Sequence, residues 1–383
     1  MTFPMYQNKL EFLMTFLFSI ALSVAFIGYS KYTYIDIRPF ADVLIAIILT
    51  IAAARNKTFI RLNAYLFIYL VFILYIIISI FLNFKFSYFS HYLITLKQIL
   101  YVSIFIFASQ TIIKCIRLRY LLSLYQILLL FALTKYSVSL VFELNDRPLL
   151  FTENNFEIPF FAILYCFLLP SFHKPSREFL LIVLLVALSG SSSGLLVLIF
   201  VTIITFEKHL DAFRIIIISP VIITLIGVGL FAKFSNGLEA IDRFHYLLAA
   251  FETLSVRDGI GIAFGYIGPL EKESCDALNY MSGKFADDGS CFSNIVYIGI
   301  IRTIIDYGVI GSLLLYFSLY RALRNNHSGG LCFAIIAITA MNGLSVSGLY
   351  NNMIALSILL TLLVGGNEVP KFNGKSAPNT ATL

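Results

Sequence analysis

Tryptophan is absent from this chain, and charged residues are scarce. Among its 383 residues, Asp, Glu, Lys and Arg together make up 13%, whereas hydrophobic residues make up 59%. A soluble domain needs about a quarter charged residues to cover its surface, so this composition excludes a globular protein in water. Without Trp, any aromatic belt at a membrane surface must be built from the 37 Phe and 22 Tyr residues.

Cysteine is also scarce, and the five Cys residues match no zinc-binding spacing. No two histidines are spaced as metal ligands either, so the sequence predicts no metal site and no cofactor. Cys275 and Cys291 lie in the same polar stretch and leave two alternatives open. They either form a disulfide, which would close about 15 residues and contribute on the order of 3 kcal/mol, or remain free thiols.

Long apolar runs follow one another along almost the whole chain. A membrane-spanning helix needs about 20 mostly apolar residues, and candidate runs occupy residues 10–29, 38–54, 64–82, 92–113, 120–142, 158–172, 179–206, 215–232, 294–320, 330–347 and 352–366. The first run follows only Lys9 and lacks a small-residue cleavage site, which predicts a retained span rather than a signal peptide. We therefore predict an all-α polytopic membrane protein with about twelve transmembrane segments.

The basic residues predict how this protein is oriented. Fifteen Lys and Arg residues lie in the tails and turns of one side, against four in the short loops of the other. The positive-inside rule then makes both termini cytoplasmic and places the large polar loop outside. This distribution accounts for the net charge of +6 without a nucleic acid partner. The predicted parts are a transmembrane bundle of about nine segments (1–232), a large periplasmic loop (233–293), a return helix with the last two segments (294–366) and a cytoplasmic polar tail (367–383).

Residues 179–206 are uncharged, yet basic residues flank them on both sides. One helix crossing the membrane here would invert everything downstream. The stretch Gly190-Ser191-Ser192-Ser193-Gly194 allows the alternative of two short helices that meet and return, as at the broken helices of transporters. A single tilted helix with a small-residue packing face is the other alternative.

Two lysines within apolar runs are candidate functional residues, because ionisable groups at membrane depth are costly. Lys97 and Lys135 each lie in the outer third of a predicted span. Either they point inward and form an anion site, or their long side chains extend to the outer interface.

The polar loop contains two further features. Arg243 can bind a phosphate through two parallel hydrogen bonds, or pair with a neighbouring acid. Arg257 precedes Gly259 and Gly261, whose spacing follows no strand, so dinucleotide binding is excluded and a tight turn near a ligand or the membrane is expected.

The segment after the loop predicts a long helix from residue 294 to 323. Asp288 or Ser293 would cap its N-terminus. Arg302 and Asp306 form an i,i+4 pair, and we expect their charges to neutralise each other. Gly308 and Gly311 would let this helix bend.

Several of these patterns together resemble a known family. Arg243-Phe244-His245-Tyr246, Gly259-Ile260-Gly261, and Ser293-Asn294 leading to Gly308-Val309-Ile310-Gly311 are similar to the loop motifs of the Wzy-type O-antigen and capsular polysaccharide polymerases, relatives of the O-antigen ligases. Gly194 follows Ser193 where family members often have Arg. Ser293 stands where the ligases have His, which favours a polymerase.

The resemblance implies a glycosyltransferase of the bacterial inner membrane that joins oligosaccharide units carried on undecaprenyl pyrophosphate. Its partners would be that lipid-linked oligosaccharide, membrane lipid, a chain-length regulator and a flippase of the same pathway. The pyrophosphate would be bound by Arg243, Lys97, Lys135 and Arg257. His245 or Asp288 would act as general base, and Gly259, Gly261, Ser293, Asn294, Gly308 and Gly311 would shape the turns around the site.

Other functions remain open at this stage. A flippase or solute transporter of lipid-linked oligosaccharide would suit twelve spans and intramembrane lysines, although no two similar halves are visible. An O-antigen ligase is a second alternative. An O-acetyltransferase ranks lower, since it would need an intramembrane His and we place none in the predicted spans.

Overall fold

The computed structural model describes residues 3–27, 38–55, 64–82, 84–110, 116–142, 154–206, 242–279, 283, 285–286, 288–345 and 347–364. These ranges are almost entirely helical. Within them, the one β-bridge pairs Ile116 with Val364. The all-α class predicted from the sequence is therefore confirmed.

Fourteen α-helices lie in the described ranges. They are α1 (Phe3–Ile27), α2 (Arg38–Arg55), α3 (Ala64–Leu82), α4 (Phe89–Gln110), α5 (Leu118–Val141), α6 (Asn154–Leu168), α7 (Pro175–Ser189), α8 (Ser192–Phe206), α9 (Asp242–Val256), α10 (Gly259–Phe264), α11 (Lys272–Ala277), α12 (Gly299–Arg324), α13 (Gly329–Ser345) and α14 (Asn352–Leu363). The predicted span at 215–232 and the polar tail at 367–383 lie outside the described residues.

Four of these helices are long and apolar enough to cross a membrane, namely α3, α4 with the turn before it, α5 and α12. This supports a membrane protein with several transmembrane helices. The other apolar helices that the structure describes run for 10 to 17 residues in their apolar parts. The count of about twelve spans is not confirmed.

The core of the molecule is built around α14. All twelve of its residues are buried, and it packs against α6, α4 and α2. A helix of this length is about 18 Å long, too short for a hydrocarbon core of about 30 Å. The run predicted as a span at 352–366 therefore contains a helix, α14, that lies at the centre of the bundle and is enclosed by protein.

The segment at 179–206 is broken, as one of the two alternatives predicted. Helix α7 ends at Ser189, Gly190 adopts the left-handed conformation (φ 59°), and α8 starts at Ser192. The turn is held by Ser191, whose side chain accepts a hydrogen bond from the backbone of Gly194 at 3.2 Å. Helix α7 packs on α5, whereas α8 packs on α6 and α13. The single long helix is excluded.

The return helix α12 begins later than predicted. A 3₁₀ turn occupies Ser293–Ile295, and α12 starts at Gly299. Neither Asp288 nor Ser293 caps it, since residue 298 is the N-cap and no side chain bonds to the first turn. Gly308 has non-helical angles (φ 68°, ψ −179°), so α12 is interrupted there. The bend predicted at Gly308 is present.

Contacts between helix ends gather two separate sets of residues. Arg321 lies over the ring of Tyr65 at 5.5 Å, and Asn326 donates to the carbonyl of Ser109 at 3.2 Å. These contacts place the end of α12 beside the start of α3 and the end of α4. At the other end, Lys85 donates to Tyr88, 3.2 Å away, and Tyr88 contacts Asp288 of the loop.

The loop before α12 has a small core of its own. Tyr246, Ala249 and Ala250 of α9 pack with Leu278, Ile295 and Ile298 around a disulfide. That disulfide joins Cys275 and Cys291, with Cα atoms 5.6 Å apart. Of the two alternatives for these cysteines, the disulfide is therefore the one present. Cys166 and Cys332 are buried free thiols.

Candidate functional site

A stripe of polar residues runs along α4 and faces α12. His91, Thr95 and Gln98 are spaced i, i+4 and i+7, which puts them on one side of the helix. Each contacts the segment that returns from the loop. Thr95 accepts a hydrogen bond from Tyr307 through its carbonyl, and the amide of Gln98 donates to Thr303 Oγ1 at 2.8 Å.

Arg302 and Asp306 form the charged centre of this region. The Nε atom of Arg302 is 3.6 Å from the Asp306 carboxylate, and both side chains are buried. Tyr350 donates to Asp306 at 2.6 Å, and its ring lies 3.6 Å from the Arg302 guanidinium. Ser293 also donates a hydrogen bond to Asp306. The i,i+4 pair expected from the sequence is therefore present. Ser293 and Tyr350, which belong to other segments of the chain, hydrogen-bond to its carboxylate.

This pairing leaves part of the guanidinium unsatisfied. Arg302 is 7% exposed, and its Nε and Nη2 atoms have no hydrogen-bond acceptor among the described residues. Gln98 Oε1 and Asn294 Oδ1 are likewise buried acceptors without a donor there. Buried polar groups are nearly always hydrogen-bonded to protein or to water, because leaving one unpaired costs about 1–3 kcal/mol. Unpaired donors and acceptors in one small region therefore mark a place for a polar ligand or water.

His91 and Asn294 form a pair at the loop end of the stripe. The amide nitrogen of Asn294 lies 3.0 Å from His91 Nδ1, and the His91 ring stacks on Phe292 with centroids 4.3 Å apart. Phe292 and Asn294 flank Ser293, which bonds Asp306. The pair is thereby linked to the Arg302 centre.

A cavity of about 510 Å³ opens next to this cluster, on the loop side. Tyr75, Arg257, Asp258, Gly261, Tyr266 and Glu271 are among its lining residues. Arg257 donates to the carbonyls of Ile305 and Tyr266. Burial lowers the pKa of Arg257, while the nearby charges of Asp306 and Glu271 act in the opposite direction. Arg257 thus contacts the turn of α12 that contains Asp306, the partner of Arg302.

Asp288 lies in a different environment from the one expected of a general base. It is exposed, accepts a hydrogen bond from Tyr88, and accepts another from the backbone of Ser290 at 3.1 Å. These bonds, that of Tyr88 first, lower its pKa to about 2. A carboxylate with so low a pKa is a weak base near neutrality, so this geometry does not favour the role predicted for Asp288.

The two lysines predicted to bind pyrophosphate lie elsewhere in the bundle. Lys97 forms an ion pair with Asp42 of α2 at 2.8 Å, beside a cavity of about 400 Å³ lined mainly by apolar side chains. Lys135 is buried in α5, and its charge interacts with that of Glu157 on α6. Glu157 also accepts from Tyr136 at 2.7 Å. Each lysine therefore has a carboxylate nearby, and the structure does not bring the two lysines together with Arg257.

Two further candidates lie on α9. The backbone of Arg243 is helical, but its side chain lies outside what the structure describes, so its predicted role stays a prediction. His245 is half-buried and contacts Phe244, with ring centroids 6.0 Å apart.

The predicted glycine turn lies at a different glycine. Gly259 and Gly261 belong to α10, whose N-terminus is capped by Asp258 accepting from Gly261 N at 2.7 Å. Gly265 follows with φ 77°, and Gly308 faces it with φ 68°. A Cβ atom on either would overlap the backbone of the opposite segment. The backbone at this turn therefore approaches another segment of the same chain, the interruption in α12, and not a ligand or the membrane. A Cβ atom added at Gly311 would overlap the ring of Phe72 on α3.

Sequence reasoning missed His91, Gln98, Tyr350 and Asp42. His91 stands just before the apolar run predicted at 92–113, but α4 begins at Phe89 and contains it. The prediction that the spans contain no His is therefore wrong. The available signal was the i, i+4, i+7 spacing of polar residues in α4.

Among the described residues, no group of three or more His, Cys, Asp or Glu side chains is arranged to hold a metal ion. Comparisons with models of protein families, with curated proteins and with solved structures give no match. The resemblance to the Wzy-type polymerases therefore depends on the sequence motifs alone.

Proposed function

We propose that this chain is a membrane glycosyltransferase that joins oligosaccharide units carried on undecaprenyl pyrophosphate, as in O-antigen or capsule synthesis. It would act at the periplasmic face of a bacterial inner membrane. The observation that carries the proposal is the buried Arg302 guanidinium, whose Nε and Nη2 atoms have no hydrogen-bond acceptor among the described residues. Arg257, which lines the loop cavity, contacts the same helix at the carbonyl of Ile305.

Two arginines at this position suit a diphosphate leaving group. Guanidinium groups bind phosphate oxygens through parallel N–H donors and remain charged at any physiological pH. In a partly buried site their effect on developing negative charge is larger than in water. Arg302 would offer its unpaired donors. Arg257 would bind from the cavity side by exchanging its bond to a backbone carbonyl.

An unpaired acceptor on α4 suits the sugar. Gln98 Oε1, which has no donor among the described residues, can accept a hydrogen bond from a hydroxyl group. Tyr75, Tyr266 and the carboxylates of Asp258 and Glu271 line the cavity, which combines aromatic surface with acceptors for hydroxyl groups. Its volume of about 510 Å³ falls within the usual range for small-ligand sites.

The chemical step requires one base. An acceptor hydroxyl oxygen attacks the anomeric carbon of the donor sugar, and the bond from that carbon to the phosphate oxygen breaks. The lipid diphosphate leaves with the bonding electron pair, and the hydroxyl proton passes to a base. We propose His91 for this role in place of Asp288, because the imidazole ring can accept a proton on the nitrogen that carries no hydrogen and because Asn294 links His91 to the segment that bonds Asp306.

The Asn294 amide sets which nitrogen of His91 is available. If the amide nitrogen donates to Nδ1, as its 3.0 Å separation allows, the proton of a neutral ring is on Nε2. Turning the amide by 180° makes its oxygen accept from Nδ1–H, and Nε2 then becomes a free base. Amide orientation is assigned from hydrogen bonding. The second orientation also satisfies the otherwise unpaired Oδ1 atom, which is why we adopt it.

A deletion strain tests the proposed function. Surface polysaccharide is separated on a gel with and without the gene. A polymerase predicts one repeat unit per lipid anchor in the deletion strain and long chains after complementation. Absence of surface repeat units would indicate a flippase instead, and accumulation of free lipid-linked polymer would indicate a ligase.

Substitution at His91 tests the site. We expect His91→Gln to abolish polymer formation while the protein remains inserted at the native level, because Gln preserves the hydrogen bond to Asn294 but cannot accept the proton. The matched control is His173→Gln, at an exposed histidine between α6 and α7, and it should retain activity. Full-length polymer from the His91→Gln strain would exclude His91 as the base.

A transporter of lipid-linked oligosaccharide is the second candidate. The ion pair Lys97–Asp42 and the buried Lys135 and Glu157 favour it, because ionisable residues inside a bundle commonly mark transport pathways. The deletion experiment separates the two candidates.

A further inference from the structure

The loop before α12 has two faces of opposite character. The residues around α11 that face outward, Glu271, Lys272, Glu273 and Asp276, are all charged. Among the α9 side chains that the structure describes, those that face outward are apolar except Ser255, namely Phe244, Leu247, Leu248, Phe251 and Val256. One unit thus presents a charged surface around α11 and an apolar surface on α9.

The apolar surface of α9 is a continuous stripe. Phe244, Leu247, Leu248 and Phe251 are spaced i, i+3, i+4 and i+7, so they lie along one face of the helix. Phe251 is 69% exposed and Leu247 is 53% exposed. A helix in contact with water would carry polar residues at these positions.

The orientation of α9 is fixed from its opposite side. Tyr246, Ala249 and Ala250 pack into the disulfide-linked core of the loop. Thr253 and Ser274 of α11 are hydrogen-bonded at 2.8 Å. Rotation of α9 to bury the stripe would break these contacts, so the stripe remains outward.

The stripe continues into α10, which touches a membrane helix. Ile260 is 64% exposed, and Ile262 and Phe264 are exposed as well. The ring of Phe264 lies 5.9 Å from that of Tyr75 on α3. Tyr75 also donates to the carbonyl of Gly265 at 3.0 Å.

Helix α3 sets the depth of this contact. It has a mean hydropathy of 2.8, and only 22% of its apolar window is buried in the protein. Tyr75 precedes the last residue of α3, Leu82, by seven positions, which corresponds to about 10 Å along the helix axis. The end of α10 therefore contacts α3 about 10 Å inward from the loop-side end of this largely exposed apolar helix.

We propose that α9 and α10 lie in the membrane surface, with this apolar stripe buried in the leaflet that borders the loop. The partner is lipid rather than protein because the stripe is continuous with the lipid-facing surface of α3. Helices with one apolar face bind at the boundary of headgroups and acyl chains in this way. The charged surface around α11 then faces water, and the cavity with Arg257 lies at the level of the headgroups. This inference does not depend on the proposed chemistry.

The absence of Trp from the chain makes a direct test possible. Phe251→Trp and Ile260→Trp each introduce the sole Trp into the full-length protein, at exposed positions where little packs against the new side chain. The protein is reconstituted in phosphatidylcholine vesicles with or without brominated acyl chains. Lys272→Trp in α11 is the matched control within the same loop.

We expect brominated lipid to quench the emission of the Phe251→Trp and Ile260→Trp variants roughly twofold or more, with emission shifted to the blue relative to the control. The Lys272→Trp variant should instead be quenched by aqueous iodide and not by brominated lipid. If iodide quenches the indole at positions 251 and 260 as it quenches the one at position 272, the face is in water and the proposal is wrong. If neither quencher reaches them, another protein segment or a second copy covers the face, which also overturns it.

Discussion

At the scale of single residues, the polar groups of this protein are important because most of their surroundings are apolar. Arg302 is held between the Asp306 carboxylate and the Tyr350 ring. A buried ion pair contributes little net stability, since desolvation offsets the attraction, but breaking it leaves an uncompensated charge. The pair is therefore sensitive to single substitutions, and function and stability must be separated by experiment.

A double-mutant cycle at Arg302 and Asp306 makes this separation. We expect Arg302→Met and Asp306→Asn each to lower the free energy of unfolding by about 3–5 kcal/mol, because each leaves one buried charge alone. The double variant should lose clearly less than the sum of the two. Unfolding is followed in detergent by the accessibility of the buried thiols.

Activity of the double variant then decides the role of Arg302. If Arg302 binds the leaving group, the double variant recovers stability without recovering polymer formation. Recovery of both would show that Arg302 only supports the fold.

Asp288 gives a prediction about pH. Its pKa is lowered to about 2 in the folded protein, chiefly by the Tyr88 hydrogen bond, from about 3.9 in an unfolded chain. Its stabilising effect is therefore complete above the unfolded value and is lost as the pH falls through about 2. Between pH 5 and pH 9, approximately, the charge of Asp288 does not change. We expect Asp288→Asn to leave the shape of the pH–activity profile unaltered, measured with purified protein and lipid-linked substrate. Loss of the acid limb in this variant would restore Asp288 as the base.

At the scale of elements, the loop is positioned by two backbone crossings, places where the backbones of two segments pass in direct contact at a glycine. Gly265 and Gly308 meet where α10 ends against the interruption in α12. Gly299 at the start of α12 lies equally close to the backbone of Ser347 and Gly348. These crossings set the start of α12, and with it Arg302, against α4 and the turn that carries Tyr350.

Alanine at Gly308 should therefore be strongly destabilising. The positive φ angle disfavours a side chain, and the new Cβ would overlap the backbone of Ala263. We expect a loss of about 3 kcal/mol or more, since backbone strain and overpacking each cost about 1–3 kcal/mol. Gly259→Ala is the matched control, because nothing lies within 4 Å of its added Cβ. Equal melting temperatures for the two variants would contradict the crossing.

At the scale of the whole molecule, the helix-end contacts bear on orientation. Arg321, Tyr65, Ser109 and Asn326 gather at one end, and Lys85, Tyr88 and Asp288 at the other. The basic residues of the sequence predict that the first set lies on the cytoplasmic side and the second set outside.

Reporter fusions test this orientation. Alkaline phosphatase joined after residue 279 should be active, since that enzyme folds only outside the cytoplasm, and a fusion at residue 383 should be inactive. A fluorescent protein that requires the cytoplasm should give the reverse pattern. An active phosphatase at the C-terminus would reverse the predicted orientation and remove the basis for periplasmic chemistry.

The sequence by itself determined the class of the protein and the positions of most helices, because hydropathy is a local property that adds up over about 20 residues. It also indicated the break at Gly190, the bend at Gly308 and the Arg302–Asp306 pair, which depend on neighbours within one or two helical turns. It could not show that α14 is enclosed by protein, since a helix buried in protein and one facing lipid are equally apolar. Nor could it pair Lys97 with Asp42, or His91 with Asn294. Those pairs join residues far apart in the chain, and only the packing of the helices decides which of them meet.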